Sequence, residues 1–330
     1  PAGDVSLVNA TGTPVKSLQR YPGKLSEPVK TSLDVAVQQA VEAVLATVPQ
    51  PAAIVVLDSA TGEVRASATR PVSEFNRAIG GRYPPGSTFK VVTAAAALGN
   101  GMKVTDKIDC PPEIEINGRK FRNFEGLGLG MITFADAFVN SCNTAFASIA
   151  SKLPEKVLID AAGWFGFERD YSVGLRTPKA AFPEPKDATE RAAAAIGQAR
   201  VQASPLHMAS VAAAVASGSW KPPRLVLTPT PEQLAAVPQG PDPSVIKTLQ
   251  DLMRQVVVKG TGVRANLPGA PVSGKTGTAE FGKDVPPKTH AWFIGFRGPY
   301  AFAVLVEGGG VGGEVAAPLA GALLAALPQS

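Results

Sequence analysis

Ser87 and Lys90 stand three residues apart in Arg82-Tyr-Pro-Pro-Gly-Ser-Thr-Phe-Lys90, just ahead of the apolar run Val91 to Leu98. Pro84 and Pro85 oppose a helix running backwards and Gly86 permits a tight turn, so the pattern predicts a helix starting near Ser87. Residues three apart share a helix face, which lets the Ser87 hydroxyl and the Lys90 amine meet. Phe89, Val91, Val92 and Ala94 to Ala97 surround the pair with apolar side chains, as on a helix buried in a core. The chemistry suggested is nucleophilic, because a serine hydroxyl needs an adjacent base. Lysine serves as that base only when neutral, about 3 pKa units below its free value of ~10.4, or about 4 kcal/mol. Desolvation and a second nearby cation can supply such a shift, and a helix N-terminus adds ~0.3–1 kcal/mol. The plainer reading makes Ser87 a helix cap and Lys90 a surface residue, and composition yields on the order of one Ser-x-x-Lys per chain by chance. A second copy, Ser244-Val-Ile-Lys247, fits that plainer reading. It follows Asp242-Pro243 and opens an amphipathic helix through Val256, with Leu249, Leu252, Met253 and Val256 as the apolar face and Ser244 as the cap.

Two further groups carry chemistry. Gly274-Lys-Thr-Gly-Thr278 interrupts a strand pattern. Lys275 can be the second cation, the hydroxyls of Thr276 and Thr278 can hold a carboxylate, and Gly277 would let an extended ligand lie along the strand. Gly269-Ala-Pro-Val-Ser-Gly-Lys-Thr276 also fits a phosphate-loop frame, which needs a strand before it and a helix after it. Arg264 to Pro268 makes no strand, and Gly277, Gly282, Pro286 and Pro287 oppose the helix. A plain edge strand with a bulge is the third reading. In Ser141-Cys-Asn143, a loop between helices would let the hydroxyl relay a proton and the amide bind a substrate amide; helix capping is the alternative.

These groups need elements to position them. The 330 residues suffice for a large core, with 45% hydrophobic and 18% charged residues, as in a globular protein. The net charge of +5 comes from scattered Lys and Arg, which speaks against nucleic-acid binding. His207, His290, Cys110 and Cys142 have no metal or haem spacing, so neither metal nor cofactor is expected. Residues 1–27 read as a linker with one short strand, Asp4 to Val8. Thr31 to Asp34 caps a helix through Val48 with Val37, Val41, Val44 and Leu45 inward, and Ala52 to Leu57 pairs with Glu63 to Ala68 as a hairpin. After the Ser87 helix comes a largely helical stretch, roughly 99–260, with short extended pieces at Glu113 to Ile116 and Arg119 to Phe121. Val272 to Phe281, Thr289 to Phe296 and Tyr300 to Glu307 read as strands, and a terminal helix follows Gly313. The tail Ala316 to Leu327 is too short to span a bilayer. This order predicts an α+β fold: one antiparallel sheet built from both ends of the chain, with terminal helices on one face and the helical insertion on the other.

Ser-x-x-Lys, Ser-x-Asn and Lys-Thr-Gly occur here at 87, 141 and 275, separated by 54 and 134 residues. That set is the signature of penicillin-binding proteins and serine β-lactamases. Thr31-Ser-Leu-Asp34 with Val37-Gln38, Ala60-Thr-Gly-Glu-Val64, Asn76-Arg-Ala78, Ile196-Gly-Gln198, Ser204-Pro-Leu206 with Met208-Ala209, and Trp292-Phe-Ile-Gly295 extend the match. Residues 28–330 thus resemble the transpeptidase domain of class B penicillin-binding proteins. Gly197-Gln-Ala199 departs from the family's usual Gly-Gln-Gly, Ser204 stands for a threonine, and Cys142 for the aspartate of the general pattern.

The resemblance implies D,D-transpeptidation of peptidoglycan stem peptides and covalent inhibition by β-lactams. Ser87 would be the nucleophile and Lys90 its base, with Ser141 and Lys275 assisting proton transfer. The N–H groups of Ser87 and Thr278 would hold the oxyanion, and Asn143, Thr276, Gly277 and Thr278 would contact substrate. It also implies work outside the cytoplasmic membrane, anchoring through a segment outside this sequence, and cell-wall synthesis or division proteins as partners. A serine β-lactamase, a D,D-carboxypeptidase and a non-catalytic β-lactam sensor are the rivals. Glu168, Glu184 and Glu190 fall between the second and third motifs, but none lies in a Glu-x-x-x-Asn frame. In that compartment a disulfide can persist. Cys142 is flanked by two cleft-facing residues, so its side chain should turn away, towards the segment around Cys110; two buried free thiols are the alternative.

Overall fold

The computed structural model describes residues 3–21, 28–231, 237–282, 284 and 287–328. The chain opens with a hairpin of β1 (Gly3–Val8), the strand expected at Asp4 to Val8, and β2 (Pro14–Tyr21), which was not foreseen. Asn9 makes the turn, its Oδ1 accepting from Thr11 N at 3.0 Å and Thr13 N at 2.9 Å. Every residue of β2 is exposed, so no alternation announced it. The rest of the supposed linker, residues 22–27, lies outside the described residues. β3 (Lys30–Thr31) then leads into α1 (Val35–Ala46), capped by Asp34 and burying Val37, Val41, Val44 and Leu45 as their spacing predicts.

β4 (Ala52–Asp58) and β5 (Val64–Arg70) form the expected hairpin, and α2 (Arg77–Gly80) precedes the Ser87 segment. That segment is a 3-10 turn, Gly86–Phe89, feeding α3 (Lys90–Gly99). The α-helix therefore starts at Lys90, three residues later than the pattern suggested. In the insertion, β6 (Lys107–Cys110) pairs with β9 (Gly130–Thr133), and β7 (Glu113–Ile116) with β8 (Arg119–Arg122). The two short extended pieces expected there are present as β7 and β8, joined by a second pair, β6 and β9. Then come α4 (Phe134–Val139), α5 (Asn143–Lys152), α6 (Glu155–Trp164), α7 (Ala188–Ala195) and α8 (Pro205–Ser217). β10 (Val226–Thr228) returns to pair with β3, and α9 (Pro243–Lys259) follows.

β11 (Ser273–Phe281), β12 (Lys288–Arg297) and β13 (Tyr300–Val306) complete an antiparallel sheet of order β11-β12-β13-β4-β5, before α10 (Ala316–Ala326). Tyr300 faces Asp58 and Val306 faces Ala52, which joins the two ends of the chain in one register. Alternation along β4 divides the core. Ile54 and Val56 pack with Val41, Phe302 and Leu323 under α1 and α10, while Val55 and Leu57 pack with residues of α3 and α8 on the other face. β11 is an edge strand and runs straight through Gly274 to Thr278, and among the described residues no helix lies between it and β12. The phosphate-loop reading is thereby excluded.

Candidate active site

The Ser87 turn lies against the edge strand. Gly86 takes φ +54°, and a Cβ there would stand 2.8 Å from Thr278 O and 2.9 Å from Ala279 Cβ. A Cβ on Gly277 would stand 2.8 Å from Thr88 Cγ2 and 3.0 Å from Trp292 Cβ. Gly277 is thus bare where the nucleophile turn packs against β11. Gly86 N donates to Gly197 O at 3.0 Å, and Trp292 Nε1 to Pro84 O at 3.1 Å. Ser87 itself remains half-buried and reachable from solvent.

Lys90 is fully buried and donates to Ser141 O at 2.6 Å, Asn143 Oδ1 at 2.7 Å and Ser141 Oγ at 3.2 Å. Burial, and then the Lys275 charge, pull the Lys90 amine well below its ordinary range. Lys275, also fully buried, is pulled down to about 7 by burial; it donates to Thr276 O at 3.1 Å and lies over the Phe138 ring at 5.7 Å. Lys275 is therefore the second cation anticipated from the sequence. Ser87 and Lys90 share no direct hydrogen bond among the described residues. Asn143 Oδ1 stands between them, 3.5 Å from Ser87 Oγ. Resting sites are commonly looser than their substrate complexes, so this spacing is compatible with a serine–lysine pair.

Ser141 and Asn143 do share the cleft. Ser141 adopts φ 57°, and Asn143 is the first residue of α5, with Cys142 as its cap. The Cys142 side chain turns away and is joined to Cys110 in a disulfide, as expected. Asn143 Nδ2 donates to Arg122 O at 3.0 Å, which leaves Oδ1 for Lys90. The second Nδ2 N–H stays free to donate to a substrate carbonyl.

The threonines of β11 point away from Lys275, as alternation demands. Thr276 Oγ1 is 2.6 Å from Thr261 Oγ1, and Thr278 Oγ1 accepts from Gly312 N at 3.2 Å. The second Ser-x-x-Lys, Ser244 to Lys247, stays apart: Asp242, not Ser244, caps α9, and exposed Lys247 pairs with Asp251 at 3.7 Å.

A serine, two buried lysines and a Ser-x-Asn turn on one sheet edge are thus assembled in the order of the three motifs. The family model of the penicillin-binding protein transpeptidase domain matches residues 52–325. This chain belongs to that family. Among curated relatives, peptidoglycan D,D-transpeptidase PbpA of Mycobacterium tuberculosis H37Rv is 34% identical over 288 residues, covering 77% of this chain and 57% of the relative. PbpA of Mycolicibacterium smegmatis is 35% identical over 282 residues, covering 76% and 56%. The chain thus spans a little over half the length of these relatives. Penicillin-binding protein A from M. tuberculosis, solved as its penicillin G acyl-enzyme complex, superposes with a TM-score of 0.81 at 29% identity, covering 90% of this chain and 80% of that one.

Sequence reasoning missed one residue on which this transpeptidase-family site depends. Asn123 Oδ1 accepts from Asn143 N at 2.8 Å and Thr144 N at 3.0 Å, while its Nδ2 donates to Pro111 O at 2.9 Å and Leu127 O at 2.7 Å. It therefore ties the start of α5 to the segments that follow β6 and β8. Its only local signal is a polar residue before Phe124-Glu-Gly126, which reads as a turn.

Proposed function

We propose that this domain is a serine D,D-transpeptidase that cross-links peptidoglycan stem peptides. The observation that carries this reading is Lys90: a fully buried amine, held low by burial and by Lys275, beside a reachable Ser87. Neutral Lys90 takes the Ser87 Oγ proton as Oγ bonds to the carbonyl carbon of the penultimate D-alanine. The oxyanion forms between the N–H groups of Ser87 and Thr278, a role supported by the close backbone approach at Gly86 and Thr278. Collapse breaks the C–N bond, and D-alanine leaves with a proton delivered from Lys90 through Ser141, whose Oγ already bonds Lys90. Lys275 keeps positive charge near the relay, while Thr276 and Thr278 hold the terminal carboxylate. An amine from a second stem attacks the ester, and its proton returns Ser87 to the hydroxyl form. β-Lactams acylate Ser87 by the same first step. The relatives' name and the neighbour's penicillin G acyl-enzyme support the reading.

Of Glu168, Glu184 and Glu190, two are engaged in other pairs, which speaks against either as a hydrolytic base. Glu168 is engaged by Phe182 N at 2.7 Å and Lys179 at 3.1 Å, and Glu190 by Lys186 N at 2.7 Å and Arg200 at 3.1 Å. No described helix is long and apolar enough to cross a membrane. Work outside the cytoplasmic membrane, with anchoring through a segment outside this sequence and contact with cell-wall synthesis proteins, belongs to the same proposal, and the disulfide supports the compartment. Mass spectrometry after incubation with benzylpenicillin tests it. One long-lived adduct on Ser87, together with product formation that requires an acceptor amine, is expected. Rapid adduct loss would indicate a β-lactamase, product formed with water alone a carboxypeptidase, and an adduct without amine-dependent product a sensor.

A further inference from the structure

Thr261 lies just beyond α9, outside all three motifs. Its N–H donates to Val139 O at 3.4 Å, and the next residue, Gly262, donates to Val256 O at 3.0 Å. Gly313 packs on it, since a Cβ there would stand 2.6 Å from Thr261 O. The side chain of this anchored residue meets Thr276 Oγ1 at 2.6 Å, and Thr276 is only 5% exposed. A hydroxyl has one proton. Thr276 can direct its proton at Thr261 or at a ligand, but not at both. If Thr276 donates to Thr261, only lone pairs are left to face a carboxylate, and these repel it. If Thr261 donates to Thr276, the Thr276 proton is free for the carboxylate, and the chained bonds strengthen each other. Thr278 has the same arrangement, with Gly312 N–H occupying its hydroxyl as acceptor and leaving its proton free.

We propose that Thr261 is a positioning residue for substrate carboxylate recognition: by donating to Thr276 Oγ1 it turns the Thr276 proton outwards, so that Thr276 and Thr278 together present two donors to one anion. This rests on the transpeptidase reading above. The test compares Thr261→Val, which keeps the shape and loses the hydroxyl, with Thr261→Ser, which keeps the hydroxyl. Second-order acylation rates are measured for benzylpenicillin and for its methyl ester, which lacks the anion. The valine variant is expected to acylate about fivefold more slowly with the free acid, because the Thr276 hydroxyl loses the bond that orients and polarises it, worth about 1 kcal/mol, and to change within about twofold with the ester. The serine variant should keep the wild-type ratio of the two rates. A merely structural Thr261 would slow both compounds together, and that outcome, or an unchanged free-acid rate, overturns the proposal while the transpeptidase reading stands. Wild-type protein that neither compound labels on Ser87 overturns both. If circular dichroism shows the valine variant unfolded, Thr261→Ala takes its place under the same criteria.

Discussion

Two lysine ammonium groups buried in one cleft oppose folding, and the opposition is readable as a pH dependence. The unfolded chain holds the Lys275 proton up to about pH 10.4, whereas the folded protein releases it at about 7. Between those values unfolding takes up a proton, so this residue makes stability rise with pH; below about 7 its full penalty is present. Lys275→Met should therefore raise the melting temperature at neutral pH, by roughly 1–3 kcal/mol in stability, and flatten the rise in stability from pH 7 to 9. Its β-lactam acylation should fall by orders of magnitude. A destabilised Lys275→Met protein would show that the lysine is held by compensating contacts. Lys90→Arg should nearly abolish acylation, because a guanidinium does not lose its proton near neutrality; stopped-flow traces retaining much of the wild-type rate would reduce Lys90 to charge balance. Ser87→Ala should remove covalent labelling and leave the circular dichroism spectrum unchanged. Labelling that persists would place the nucleophile elsewhere.

At the scale of elements, α9 separates pattern from position. Ser244 sits in the same letters as Ser87, yet its hydroxyl merely bonds Asp242 Oδ1 at 2.6 Å on an exposed helix end. Ser244→Ala and Lys247→Ala should leave acylation rates unchanged and stability within about 0.5 kcal/mol. Asp242→Ala should cost about 1 kcal/mol, since it carries the cap. The loop after α7 holds the opposite kind of residue. Ala199 takes φ 58°, a left-handed conformation that costs a residue with a Cβ about 1–2 kcal/mol. Ala199→Gly relieves that strain but loosens the unfolded chain, for a net gain of roughly 0.5–1 kcal/mol. Chemical denaturation would register it as a higher midpoint; a lower one would mean that the alanine methyl has compensating contacts.

Over the whole molecule, one covalent bond ties the insertion to the site. The Cys110–Cys142 bridge closes a separation of 32 residues beside Ser141 and Asn143. On loop-entropy grounds it stabilises the fold by about 3–4 kcal/mol. Protein made in an oxidising compartment, then denatured without reductant, should contain no free thiols, and a count of two would overturn the bridge. Reduction should lower the unfolding midpoint and slow acylation, because the turn that holds Lys90 loses its tether.

Burial faces were legible in advance because periodicity encodes them. The inward set Val37, Val41, Val44 and Leu45, the strands of the sheet and the order of the three motifs could all be read from spacing. So could the need for a second cation, which follows from the pKa of lysine alone. The hairpin β1–β2 was not legible, because a ribbon exposed on both faces carries no alternation. Nor was the approach of Thr88 and Trp292 to Gly277, since a missing side chain does not say which neighbour stands beside it. Asn143 between Ser87 and Lys90, Asn123 behind Asn143, and Thr261 behind Thr276 are hydrogen bonds across 15 to 56 residues. Local sequence specifies a residue's own backbone and its side-chain chemistry. Which group 20 or 50 residues away shares its proton is decided only when the chain is packed.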